Sequence, residues 1–173
     1  TVLESEPMSM NAETYRKISE PFRRSAAGRQ AVELANRVPT LIFYAAYPIL
    51  LALLAFTRDP LLAPCVVVPA TSFLLVSLFR KQINAPRPYE ALDIDPLVAK
   101  GTQGESFPSR HVFSATLIAG CWFALYPPVG AALYALAAIL AAARVIGGVH
   151  FPKDVVAGAA IGLAFGLAVT VFA

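Results

Sequence analysis

Five long apolar blocks, at positions 41–56, 61–79, 112–126, 129–148 and 155–173, constrain this chain more than any other feature. Each approaches the roughly 20 helical residues that cross a bilayer, and the fourth is interrupted only by Arg144. Taken singly, the first and third are short for a span and would suit core helices of a soluble protein. Composition removes that option. Hydrophobic residues make up 57% of the 173 and charged residues 14%, against about 25% charged in soluble chains, so too few charges remain to coat a soluble exterior. The expected fold class is all-α: a polytopic transmembrane helix bundle of about five spans.

Ahead of the first span the pattern changes. Residues 1–11 are polar and expected to fray. Tyr15, Ile18 and Phe22, then Ala27, Ala31, Leu34 and Val38, follow helical spacing, while Arg16, Lys17, Arg23, Arg24, Arg29 and Arg37 take other positions. This predicts a basic amphipathic helix lying on the membrane surface against anionic headgroups. The chain divides accordingly into 1–39, polar start and interfacial helix, and 40–173, transmembrane domain. The charged stretch is not the short basic n-region of a signal peptide, so insertion is expected to rely on the spans. Cys65 and Cys121 both lie inside apolar blocks, where a thiol behaves as a small hydrophobe, and they supply no disulfide framework. The net charge of +3 comes without an acidic or basic tail, and nucleic acid is not an expected partner.

Alternating crossings decide which loops share a face. Asp59-Pro60 and Tyr126-Pro127-Pro128 are tight breaks between helices, whereas 80–109 is a long polar stretch, a kind of connection that usually carries function. That stretch, the turn at 149–154 and the N-terminal segment fall on one side. Of the 14 Lys and Arg, all but Arg58 then sit at that face or just inside it. In the last span Gly158, Gly162 and Gly166 recur at four-residue spacing, which predicts close helix packing.

Three polar clusters meet on the basic face: Arg80-Lys81-Gln82-Ile83-Asn84-Ala85-Pro86-Arg87-Pro88, Phe107-Pro108-Ser109-Arg110-His111, and the run from Arg144 through Gly147-Gly148 and His150 to Lys153-Asp154. Pro108 and Pro152 suit first helical turns, so backbone N–H groups after them would project from helix N-termini, which favour anions. Arg144 lies near the end of its span, where an ionisable residue either snorkels to the interface or serves function. His111, His150 and Asp154 could ligate zinc by type. Arg80, Lys81, Arg87, Arg110 and Arg144 would crowd a divalent cation with like charge, while guanidinium forks match phosphate oxygens. Phosphate is the expected guest; no metal or other cofactor is expected.

The three clusters resemble the signature motifs of the type 2 phosphatidic acid phosphatase (PAP2) superfamily: Lys, six residues, Arg-Pro; Pro-Ser-Gly-His; and Ser-Arg, five residues, His, three residues, Asp. The resemblance covers about residues 61–173, with order preserved. Arg80 stands where the family has Lys, with Lys81 one place too close; Arg110 replaces the Gly and Ala143 the Ser. The family usually has six spans, against five plus the amphipathic segment here.

The resemblance implies an integral-membrane phosphatase acting on a phospholipid or polyprenyl phosphate or diphosphate, such as phosphatidic acid or undecaprenyl pyrophosphate, without a metal. His150 would be the nucleophile that forms a phosphohistidine, Asp154 would orient it, and His111 would be the general acid. Arg80, Arg87, Ser109, Arg110 and Arg144 would surround the phosphoryl oxygens. A phosphotransferase sharing the first half-reaction, and a non-catalytic anion-binding or transport protein, are the alternatives. The positive-inside rule places the basic face in the cytoplasm; bacterial members of the family generally act on the outer side of the plasma membrane, and that side is the expectation carried forward.

Overall fold

The computed structural model describes residues 10–98 and 101–171, which are helical apart from turns and one long loop. Asn11 caps α1 (Ala12–Arg23), its side-chain oxygen accepting the Thr14 N–H at 2.8 Å. Ser25 caps α2 (Ala26–Thr57) in the same way through the Gly28 N–H at 3.0 Å. The remaining helices are α3 (Leu62–Ile83), the single turn α4 (Pro88–Ala91), α5 (Arg110–Leu125), α6 (Pro127–Ile146) and α7 (Pro152–Val171). Residues 1–9 of the polar start, Lys100 on the basic face and the last two positions of the fifth apolar block lie outside the described residues.

The surface segment expected from Tyr15 to Val38 is two helices, because Ser25 takes an extended cap conformation that ends one and starts the other. The boundary expected between positions 39 and 40 falls inside α2, which passes through Pro39 and Pro48 without a break. Membrane helices tolerate proline where neighbouring groups satisfy the backbone. Residues 26–57 are therefore one continuous helix across the expected boundary.

Among the described residues, four helical stretches, α2, α3 with the turn that follows it, α6 and α7, are long and apolar enough to cross a membrane. The shorter α5, 16 residues, rises about 24 Å and sits at the centre. It packs on α7 and α6 most extensively and on α2 and α3 as well, so its flanks face protein rather than lipid. Phe113, Ala115, Ala119 and Cys121 along it are buried, whereas Leu74, Leu75 and Leu78 on α3 and Leu167 on α7 point outward with more than half of their surface open. Apolar residues outside as well as inside mark a multi-pass integral membrane protein.

The turns follow local chemistry. Arg58 closes α2 in the left-handed conformation, φ 54°, with its N–H on the Ala55 carbonyl and the Asp59 N–H on the Leu54 carbonyl. Pro127 opens α6, a position where its missing N–H costs nothing. The α5–α7 contact is made by absent side chains. A Cβ on Gly158 would stand 2.6 Å from the Ser109 carbonyl oxygen, and one on Gly162 would stand 2.6 Å from that of Phe113. Gly162→Leu should therefore lower the thermal midpoint in detergent by an amount equivalent to about 1–3 kcal/mol of overpacking, while Gly101→Ala, which meets nothing within 4 Å, should leave it unchanged.

Candidate active site

The first turn of α5, the first turn of α7, the end of α6 and the 84–109 loop converge at the basic end of the bundle. Pro152 starts α7, and Asp154 in that turn folds back so that its Oδ2 accepts the Phe151 N–H at 2.9 Å. The same oxygen accepts the Ser106 hydroxyl at 2.5 Å and lies 3.4 Å from His150 Nδ1. Ser106 Oγ is 3.3 Å from that nitrogen. Since Ser106 gives its proton to Asp154, Nδ1–H has two acceptors, the hydroxyl and the carboxylate, and Nε2 keeps its lone pair.

His150 and Asp154 are 2% and 1% exposed, and they make a hydrogen bond rather than an ion pair. Burial pushes the imidazole down, to about 4, against the opposing pull of the Asp154 bond, and the charges of Arg87 and Arg144 lower it further. The ring is neutral at pH 7. Its backbone is held too, with the Val149 and His150 N–H groups on the Arg144 carbonyl at 3.1 and 3.2 Å. Gly148, φ 75°, makes that turn possible, and a side chain there would strike Tyr15 of α1 at 2.8 Å.

The arginines divide into two kinds. Arg80, buried near the end of α3, donates to the carbonyls of Glu105, Ser106 and Pro108 and so folds the loop that carries Ser106 and Ser109. Its neighbour Lys81 is exposed, so Arg80 is the cation this helix turns towards the site. Arg87 Nε donates to the Gly104 carbonyl at 2.9 Å and Nη1 to that of Val149 at 3.4 Å. Arg144 is different: it is 1% exposed, and its Nε and Nη1 find no partner among the described residues. A buried guanidinium with unspent donors is costly unless an anion meets it. Ser109 Oγ is buried and unpartnered as well, while its N–H holds the Asp154 carbonyl at 2.8 Å.

His111, in the first turn of α5, lines a cavity of about 450 Å³ together with Arg144. Arg110 is directed at α3 instead, its guanidinium 5.6 Å from the centroid of the Phe73 ring. The structure thus gathers His150, Asp154, Ser109, Arg87 and Arg80 in one connected cluster, with Arg144 joined through the His150 backbone and His111 across the cavity. Two supporting residues escaped the reading of the sequence. Ser106 has no feature that separates it from other loop serines. Glu90, which accepts the Arg87 N–H at 2.8 Å and the Gly104 N–H at 2.9 and 3.1 Å, was detectable only as an acidic residue three places after the cap of a one-turn helix.

Residues 61–173 match the family model described as the PAP2 superfamily. The lipid A 1-phosphatase of Rhizobium johnstonii is 34% identical over 100 residues, 56% of this chain and 41% of that protein. The lipid A 1-phosphatase of Rhizobium etli is 34% identical over 101 residues, 56% and 43% of the two chains. The match thus spans less than half the length of these relatives. Among solved structures, the fold is similar to Aquifex aeolicus LpxE at a TM-score of 0.72 and 26% identity, covering 96% of this chain and 98% of that one. It is similar to the first transmembrane PAP2 type phosphatidylglycerolphosphate phosphatase from Bacillus subtilis at 0.70 and 26%, covering 95% and 88%.

The geometry predicts that nitrogen NMR of the detergent-solubilised protein finds His150 neutral at pH 5.5 and protonated at Nδ1, with a midpoint near 4. Because that value lies below the ordinary 6.5 of the unfolded chain, the stabilising contribution is complete above pH 6.5 and declines as pH falls towards 4. Asp154→Asn, which removes the contact that raises the value, should move the midpoint lower still.

Proposed function

The chain belongs to the PAP2 superfamily, and from that membership together with the site's geometry we propose that it is an integral-membrane phosphatase that hydrolyses a lipid phosphate at one face of the bilayer. The observation that carries this reading is Arg144: a buried cation with two unspent donors, near a buried imidazole whose Nδ1 faces Ser106 and Asp154.

In the reaction, a phosphoryl group lies against Arg144, with Ser109 Oγ and the cations of Arg80 and Arg87 around its oxygens. Arg110 contributes charge from the α3 side. His150 Nε2 attacks phosphorus as the bond to the leaving oxygen breaks, and His111 gives that oxygen its proton. The phosphohistidine is then attacked by water, whose proton passes to the now neutral His111. The N–P bond breaks, its electron pair returns to Nε2, and inorganic phosphate leaves. Asp154 holds Nδ1–H throughout, so the charge on the ring in the intermediate is balanced. Fixed guanidinium groups replace the charge stabilisation that a metal supplies elsewhere, and the step needs no metal. A lipid substrate suits a site at one end of an apolar helix bundle, and phosphatidylglycerol phosphate, a lipid A 1-phosphate, phosphatidic acid and a polyprenyl diphosphate are the candidates.

Purified in detergent, the natural chain should release inorganic phosphate from at least one of these four with a chelator present. His150→Ala should reduce kcat by about 10³-fold or more, and acid quenching should trap labelled phosphate on the natural chain alone. Retained activity in His150→Ala, or complete loss with chelator, would sink the mechanism. Consumption of the lipid phosphate without phosphate release would mean that the group passes to another acceptor.

The active face is proposed to lie on the outer side of a bacterial plasma membrane. Arg58 caps the opposite end of the bundle, so Arg58→Cys should resist a membrane-impermeant maleimide in intact cells and react after lysis; labelling in intact cells would reverse the orientation.

A further inference from the structure

The cavity beside His111 and Arg144 has a second polar wall that phosphoryl chemistry does not use. It is formed by Glu33, Asn36 and Arg37 on α2, outside the three signature clusters and outside the residues that match the family. Glu33 and Arg37 stand four apart, a spacing that suits an ion pair, yet neither is paired with a charge among the described residues. Asn36 Oδ1 is shut from solvent with no hydrogen-bond partner among the described residues, a costly arrangement for an amide oxygen. The volume of about 450 Å³ falls within the roughly 300–1,000 Å³ of sites for sizeable ligands and exceeds what a bare phosphate needs.

His111 also lines a neighbouring cavity of about 220 Å³. That one shares Phe43, Tyr44, Phe73, Ser114 and Ile118 with a third, of about 360 Å³, which is walled mainly by apolar side chains of α2, α3 and α5. His111 therefore stands at the junction of a polar chamber and an apolar groove that runs along the helices. A lipid whose leaving oxygen is protonated there has its chains in the groove and its remaining polar atoms in the chamber.

We propose that Glu33, Asn36 and Arg37 form a headgroup subsite for a hydroxyl-bearing leaving group, either a sugar or a glycerol unit. The chemistry of the wall selects this class. The Glu33 carboxylate is an acceptor that hydroxyl donors satisfy, and Arg37 and the Asn36 amide group donate to hydroxyl oxygens. The inference rests on the phosphatase reading and adds to it the part of the substrate that sets specificity.

The test compares the full natural chain with Glu33→Gln, Asn36→Ala and the double variant on three lipids. These are phosphatidic acid, whose leaving group bears no free hydroxyl, phosphatidylglycerol phosphate, and a diglucosamine lipid 1-phosphate. The double variant should raise KM at least tenfold for a hydroxyl-bearing lipid with kcat within twofold, the retained kcat reporting an intact fold, and should act on phosphatidic acid as the natural chain does. Whether the glycerol or the sugar lipid is the one affected identifies the source of the hydroxyls. Unchanged kinetics on all three lipids, or a fall in kcat at constant KM, would overturn the subsite while leaving the phosphatase reading intact. Failure of the natural chain to act on either hydroxyl-bearing lipid would overturn the subsite, and the phosphatase reading falls with it only if phosphatidic acid and a polyprenyl diphosphate are also left intact.

Discussion

The site depends on two helices touching backbone to backbone. Gly158 and Gly162 of α7 leave no side chain between it and α5, and the Ser109 N–H bonds the Asp154 carbonyl where the two helices begin. Lipid gives apolar side chains little reason to prefer one another, so small residues and polar contacts decide how membrane helices associate. Here that association brings the turn bearing Ser109 and His111 against the turn bearing His150 and Asp154. Bulk at the glycines would separate these clustered side chains as well as the helices.

Around that contact, buried positive charge is handled in two ways. Arg80 and Arg87 spend donors on loop carbonyls, at Glu105, Ser106, Pro108, Gly104 and Val149, so their charge helps to fold the loop and still contributes to the field. Arg144 spends little of its fork on protein. The same field, with burial, holds His150 neutral, which suits an attacking nitrogen. An anion arriving there meets fixed dipoles and charges that need no rearrangement.

The N-terminus closes the structure on the side of the loop. The Tyr15 hydroxyl donates to the Asp95 carbonyl at 3.2 Å and accepts the Leu97 N–H at 3.2 Å, and Arg23 pairs with the Asp95 carboxylate at 2.9 Å. The α1 helix thereby pins the 93–98 segment, whose Leu97 and Val98 line the cavity, and the Val98 N–H reaches the Gly147 carbonyl at 3.1 Å. Basic residues that read as a lipid-facing stripe thus include two, Arg16 and Arg23, that bond the 93–95 segment of the protein.

The linear chain by itself determined the solvent, the number of apolar helices and the chemical inventory, because apolar block length and residue type are local properties. Arg80, Arg87, His111, Arg144, His150 and Asp154 carried the resemblance to the PAP2 superfamily that the family match bears out. Only the tertiary structure decided which arginines are spent on loop carbonyls and which keeps donors unspent, that Ser106 completes the His150–Asp154 pair, that α2 runs unbroken through Pro39, and that Glu33 and Asn36 line the cavity beside His111 and Arg144. Each of those is set by contacts between segments far apart in sequence, where distance and desolvation, rather than residue identity or spacing, fix what a side chain does.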